Sequence, residues 1–237
     1  MATAAGAQVA RLSFWAKMTI GISAFIVLGF AQFGLRGMVD YTHAPLVMHL
    51  HGVTMLAWLA LLVTQAVLAG RGGIALHRRR GWASVVMLPL ILGLASLTCF
   101  TAIRAGFFPP FFTAPYFFAL IHVSAAIFAA IVATAVARRG QSDWHRRLMV
   151  GSTILLMEPA LGRVLPMPFI MPWGEWLAMA IQLGVAFLML RHDRATLGRV
   201  HPATIAVMLA IGLSHVLTEL LAISPWWIAF TASATGA

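Results

Sequence analysis

Residues 112–137 read FTAPYFFALIHVSAAIFAAIVATAVA, a stretch without a single charged side chain. A helix needs about 20 apolar residues to cross the hydrocarbon core of a bilayer. The stretch therefore predicts a transmembrane helix. Its one histidine, His122, is the residue in it that most needs a functional explanation, since ionisable groups inside a membrane are costly.

The same criterion, applied along all 237 residues, predicts seven transmembrane helices. They lie at about 18–35, 45–70, 81–103, 112–137, 148–162, 173–190 and 203–223. Hydrophobic side chains make up 61% of the chain and charged ones 9%, against about 45–50% and 25% in soluble domains. This composition excludes a soluble globular enzyme. We expect an all-α polytopic membrane protein that forms a single transmembrane domain over 1–237.

The first apolar run, from Met18 to Leu35, is longer than the apolar region of a secretory signal peptide. No clear A-x-A cleavage motif follows it. We therefore expect this run to stay in the protein as the first span.

The net charge of +10 comes from basic residues grouped in the short connections between spans. This grouping is typical of membrane-orientation signals and argues against nucleic-acid binding. One side carries thirteen of them: Arg11, Lys17, Arg71, Arg78, Arg79, Arg80, Arg138, Arg139, Arg146, Arg147, Arg191, Arg194 and Arg199. The other side carries Arg36, Arg104 and Arg163. The positive-inside rule then predicts a cytoplasmic N-terminus and an external C-terminus, in a bacterial inner membrane.

Spans two to five contain one motif twice. His51 precedes a long apolar run and a basic turn that ends in His-Arg-Arg at 77–79. His122 precedes a similar run that ends in His-Arg-Arg at 145–147. The two histidines of each copy are 26 and 23 residues apart. The repeat predicts two helical hairpins of the same construction.

Two such hairpins would form a four-helix core over 45–165, with 1–44 and 166–237 as peripheral helices. At a rise of 1.5 Å per residue, His51 and His122 lie about 9 and 10 Å below the starts of their helices. They would form an outer pair at matching depth. His77 and His145 would form an inner pair.

Neutral imidazole binds iron, copper and zinc, and a facing pair is what bis-histidine haem ligation requires. The spacing resembles the two-haem transmembrane cytochromes b of the ascorbate-reducible type, in which four central helices hold one haem near each surface. The resemblance covers about 45–165. It implies haem b on the outer pair, His51 and His122, and on the inner pair, His77 and His145. The role of pairing with the propionates then falls to Arg78, Arg79, Arg146 and Arg147.

Three segments also resemble an uncharacterised group of bacterial integral membrane proteins. They are LHRRRGW at 76–82, WHRRLM at 144–149 and RVHPAT at 199–204. This second resemblance implies no activity.

A second set of candidate catalytic residues lies in the later spans. Glu158 falls in the fifth span, and His215 and Glu219 are four residues apart in the seventh, hence on one helical face. A buried carboxylate needs a partner or a proton. These residues could complete a non-haem metal site, relay protons to a quinone, or brace the bundle.

Several membrane functions are excluded. A retinal protein needs a lysine in its last span, and Lys17 is the only lysine. No P-loop, G-x-S-x-G or H-E-x-x-H motif occurs. Three functions stay open: electron transfer by a b-type cytochrome-like oxidoreductase, with a quinone or redox protein as partner; a membrane enzyme or metal handler using non-haem iron, copper or zinc; and a cofactor-free anchor or assembly subunit.

Overall fold

The structure is a computed structural model that describes residues 12–236, so the predicted orientation signal Arg11 lies outside the described residues. Within that range every regular element is a helix. The helices are α1 (Phe14–Leu35), α2 (Leu46–Gly70), α3 (Ile74–Gly81), α4 (Ala83–Arg104), α5 (Ala114–Ala137), α6 (Ser142–Leu155), α7 (Glu158–Val164), α8 (Met167–Ile170), α9 (Gly174–Leu197), α10 (Pro202–Ala222) and α11 (Pro225–Thr235). A short 3₁₀ turn, Tyr41–His43, precedes α2.

Six helical segments within residues 12–236 are long and apolar enough to cross a membrane. They are α1, α2, the continuous segment Ile74–Arg104 made of α3 and α4, α5, α9 and α10. The predicted all-helical, multi-pass membrane fold is therefore confirmed at this level. The predicted count of seven is not, because the fifth expected span, 148–162, is divided between α6 and α7.

Pro159 explains why the fifth span is divided. Proline has no backbone N–H, and its ring clashes with the carbonyl four residues earlier, here that of Leu155. Helix α6 ends at Leu155, and the Met157 N–H donates to the Ile154 carbonyl at 3.0 Å in a tightened turn. The chain then restarts as α7 at Glu158.

Helix α6 lies at the centre of the bundle. Its residues from Arg147 to Leu155 are buried almost without interruption, and α1, α5, α9 and α10 pack around it. The close approach of α10 depends on Gly151, since a Cβ there would lie 2.2 Å from a methyl of Val207. Because α6 contacts other helices and not lipid, it is less apolar than the membrane-spanning helices.

This arrangement corrects the expected core. Helices α1, α9 and α10, which were expected at the periphery (1–44 and 166–237), contribute to the main buried cluster. By contrast, 17% of an 18-residue apolar stretch of α2 is buried inside the bundle, against 39% of the corresponding stretch of α5. The core is therefore centred on α6 and is not a four-helix unit confined to 45–165.

A buried ion pair joins α6 to α9 at the side predicted to be cytoplasmic. Arg147 and Asp193 are both fully buried, and the Arg147 Nε donates to the Asp193 Oδ1 at 2.9 Å. The other carboxylate oxygen of Asp193 accepts from the Thr204 hydroxyl at 2.6 Å and from the His201 N–H at 3.1 Å. The Arg147 Nη1 also donates to the Asp143 carbonyl at 2.9 Å. Three helices are thus held together by one saturated polar network.

Candidate functional site

His77 and His145 come together at the predicted inner side of the bundle, and we call them the histidine pair. Each follows the turn after a long helix, so each ring packs back against the end of that helix. The His77 Nδ1 donates to the Gln65 carbonyl at 3.2 Å, and the His145 Nδ1 donates to the Ala135 carbonyl at 2.8 Å. A carbonyl only accepts, so each Nδ1 carries the proton and each Nε2 keeps its lone pair.

The geometry of the histidine pair suits one shared metal ion. The ring centroids are 6.0 Å apart, and the ring planes are perpendicular. Two imidazoles on opposite sides of one metal, with metal–nitrogen bonds of about 2 Å, have ring centres about 6 Å apart. An Nδ1–H bonded to a backbone carbonyl is also the usual outer support of a metal-binding histidine. The Gln65 side chain adds to this support by donating to the His77 carbonyl at 2.8 Å.

The electrostatic surroundings keep His145 neutral. Burial lowers the pKa of His145; the hydrogen bond to the Ala135 carbonyl raises it, and the neighbouring His77 lowers it again. The net direction is downward from the ordinary value of 6.5. The ring is therefore neutral at pH 7, which is the form that binds a metal.

The four arginines expected to pair with haem propionates divide into two groups. Arg78 and Arg79 are exposed on α3, one and two residues after His77. Arg147 is fully buried against Asp193, and Arg146 forms an ion pair with Asp143. The structure therefore corrects the expectation for Arg146 and Arg147, whose guanidinium groups already have acidic partners.

The expected outer pair is not brought together in the same way. The His122 Nδ1 donates to the Phe118 carbonyl at 2.8 Å, so its Nε2 accepts from the Ser96 hydroxyl at 3.0 Å. Both ring nitrogens of His122 are thus engaged, and its cross-helix hydrogen bond is to α4. The His51 Nδ1 is buried and has no hydrogen-bond partner within the described residues. No hydrogen bond or ring contact in residues 12–236 joins His51 to His122.

A second group of polar residues lies at the opposite end of the bundle. Glu158 and Glu219 were expected there, and the structure adds Glu175 and Tyr116; we call these four the carboxyl cluster. Each belongs to the first or last turn of its helix, namely α7, α10, α9 and α5. The Tyr116 hydroxyl donates to Glu219 at 3.1 Å, while the carboxyls of Glu158 and Glu175 are both buried and lie within electrostatic range of each other.

His215, one of the candidate catalytic residues, takes part in a structural contact. Its Nε2 donates to the Gln182 Oε1 at 2.9 Å. The Gln182 amide in turn donates to the carbonyls of Ile154 and Leu155, at 3.2 and 3.3 Å. These are the carbonyls at the break before Pro159, where the missing N–H leaves Leu155 without its helical donor. His215 and Gln182 therefore stabilise the break in the α6–α7 segment.

Sequence reasoning did not identify Gln182, Glu175 or Tyr116. The signal for Gln182 was present, because Pro159 predicts an unsatisfied carbonyl and a lone glutamine in an apolar helix is a suitable donor. Glu175 and Tyr116 stand at helix ends, where polar and aromatic residues normally meet the membrane surface. Their burial together could not be inferred from these positions.

The substitution Gln182→Leu is expected to lower the free energy of unfolding by about 1–3 kcal/mol, because it leaves buried polar groups unsatisfied. The double variant Gln182→Leu with Pro159→Ala is expected to recover part of this loss, since residue 159 regains an N–H for the Leu155 carbonyl. Thermal and denaturant unfolding in detergent would measure both. An equal or greater loss in the double variant would contradict this account of the break.

Within the described part of the chain, no group of three or more histidine, cysteine, aspartate or glutamate residues is arranged to hold a metal ion. The histidine pair has two ligands, so a metal there would take its remaining ligands from a bound group. No protein-family model, curated protein or solved structure matches this chain. Functional inference therefore depends on the geometry of its own residues.

Proposed function

We propose that the protein is a membrane electron carrier in which His77 and His145 would hold haem b. One observation carries the proposal. The two rings lie 6.0 Å apart, each is fixed by a backbone carbonyl, and each presents an Nε2 lone pair. A separation of this size suits two imidazoles that bind one haem iron.

The residues around the histidine pair have distinct roles in this proposal. Haem b, when bound, supplies reversible one-electron chemistry. His77 and His145 would hold the haem iron, and a haem held by two histidines would favour electron transfer. Exposed Arg78 and Arg79 would bind the acidic propionates. Gln65 would keep α3 in place through its bond to the His77 carbonyl.

The expected second haem, on His51 and His122, has less support. It would require His122 to exchange the Ser96 hydroxyl for iron. We therefore propose the histidine pair as the haem site that accepts electrons, and we expect a quinone or a redox protein as its partner. The inner-membrane location and the orientation of the termini also stay predictions.

An absorption spectrum of protein purified from haem-replete cells tests the proposal. We expect a Soret band and a reduced spectrum typical of two histidine ligands. His77→Ala and His145→Ala should each abolish the band, because each removes a residue that would hold the haem. The matched control, His122→Ala, should keep it, since His122 is bonded to Ser96 and Phe118.

Two results would overturn the proposal. A colourless wild-type protein would reject haem, and elemental analysis would then separate a non-haem iron, copper or zinc protein from a cofactor-free anchor. A Soret band that survives in folded His77→Ala and disappears in His122→Ala would place the haem at the other histidines. Size-exclusion chromatography of each variant would establish that it is folded.

A further inference from the structure

Glu175 is a buried carboxyl group without a donor. Its side chain is 1% exposed, and neither carboxylate oxygen receives a hydrogen bond from any residue in 12–236. An ionised carboxylate in such a place carries a large desolvation cost with nothing to offset it. The polar group that it faces is another carboxyl, that of Glu158, which is 7% exposed.

Two buried carboxyls within electrostatic range of each other cannot both be ionised, because like charges repel and burial removes the water that would stabilise them. One of the two must hold a proton. Glu175 and Glu158 therefore bind a proton between them in the folded protein.

The surrounding charges determine which of the two is ionised. Arg163 lies on α7 with Glu158, within electrostatic range of it. Its Nη1 donates to the Pro159 carbonyl at 2.7 Å, and its guanidinium lies 4.1 Å from the Phe30 ring centroid. Arg163 is therefore held near Glu158 and favours its negative charge. Tyr41, in the turn before α2, is the other titratable group close to Arg163.

The remaining members of the carboxyl cluster are more exposed than this pair. Tyr116, on α5, is within electrostatic range of all three glutamates and donates its hydroxyl hydrogen to Glu219. Tyr116 and Glu219 are both partly exposed, whereas Glu158 and Glu175 are buried. The cluster thus runs from the protein surface to a closed interior.

We propose that the carboxyl cluster is a proton-exchange site in which Glu175 holds the stored proton. The Glu175 O–H donates to the Glu158 carboxylate. Transfer breaks that O–H bond and forms one on Glu158, leaving Glu175 ionised, with no change in total charge. Tyr116 and Glu219 form the surface side through which the proton is replaced. The site is distinct from the histidine pair and does not depend on haem.

Infrared spectroscopy of the purified full-length protein at pH 7 tests this proposal. We expect a carbonyl stretching band of a buried carboxylic acid that shifts in D₂O, because the proton exchanges with solvent. Glu175→Gln should remove the band while leaving the unfolding temperature nearly unchanged, since the amide can donate to Glu158 as the acid does. The matched control, Asp143→Asn, should keep the band, because Asp143 is exposed and lies outside the carboxyl cluster.

Glu158→Gln provides a second measurement if Glu175→Gln does not fold. There Glu175 faces an amide, so the acid band should persist at a shifted frequency. Absence of an acid band in the wild type, or an unchanged band in Glu175→Gln, would overturn the proposal. So would a band that is insensitive to D₂O, or one lost in Glu158→Gln and kept in Glu175→Gln. None of these results depends on whether the protein binds haem.

Discussion

Replacing Arg147 with methionine is expected to lower the free energy of unfolding by about 3–5 kcal/mol, because the loss of one partner leaves the other charge buried and uncompensated. Asp193, at 0% exposure, would keep only the Thr204 hydroxyl and the His201 N–H as donors. The same substitution also removes the hydrogen bond, within α6, from the Arg147 side chain to the Asp143 carbonyl. Denaturant unfolding in detergent micelles would measure the loss.

Arg146→Met is the matched control, since it removes the neighbouring arginine from an ion pair in which both side chains are largely exposed, 41% and 51%. Exposed pairs contribute at most about 1 kcal/mol. The double variant Arg147→Met with Asp193→Asn should be more stable than Arg147→Met alone, because no buried charge is left without a partner. If the second substitution gave no recovery, the loss in Arg147→Met would be one of packing and not of charge.

Gly151→Ala is expected to destabilise the protein by about 1–3 kcal/mol, because extra atoms in a tightly packed interface force the helices apart. The new Cβ would lie 2.2 and 2.8 Å from the two methyl groups of Val207. Helix α6 has no space to retreat, since α1, α5, α9 and α10 pack around it. Thermal unfolding of the variant in detergent would measure the effect.

Gly184→Ala is the control for this second prediction. Gly184 lies inside α9, and a Cβ there meets no atom within 4 Å. The substitution should be neutral or stabilising by up to about 1 kcal/mol, because alanine favours the helix over the unfolded chain. Combining Gly151→Ala with Val207→Ala should restore part of the lost stability. A Gly151→Ala protein as stable as the wild type would contradict the close contact between α6 and α10.

The membrane-spanning helices were predictable because a backbone in lipid must satisfy its own hydrogen bonds, so long apolar runs become helices. Helix α5 begins at Ala114 and α10 at Pro202, each within two residues of the expected start. The divided fifth span was missed for a related reason. Hydropathy measures the side chains, whereas Pro159 acts on the backbone. The carbonyls left without a donor at the break are satisfied by Gln182, a donor that lipid could not supply.

The candidate sites were predictable to different degrees. The repeated His-Arg-Arg segments led to the contact between His77 and His145, since both segments follow the same kind of turn. The same spacing placed His51 and His122 at matching depth but could not give their orientation. The spacing of residues along one helix determines depth and face, and the neighbour on that face depends on how the other helices pack. In the structure the neighbour of His122 is Ser96.

The interrupted α6–α7 segment carries parts of both sites on one continuous piece of chain. His145 and Arg147 stand near its start, and Glu158 and Arg163 stand beyond the break. Suppose that α6 rotates and moves His145 relative to His77. Glu158, the first residue of α7, would then also move relative to Glu175, unless the turn at Leu156 and Met157 changed its conformation. The Gln182 amide donates to the carbonyls of Ile154 and Leu155, which directly precede that turn. These hydrogen bonds restrain a change in the conformation of the turn. In the proposed functions of the two sites, a redox change at the histidine pair and a proton transfer at the carboxyl cluster would be linked mechanically through a single polypeptide segment.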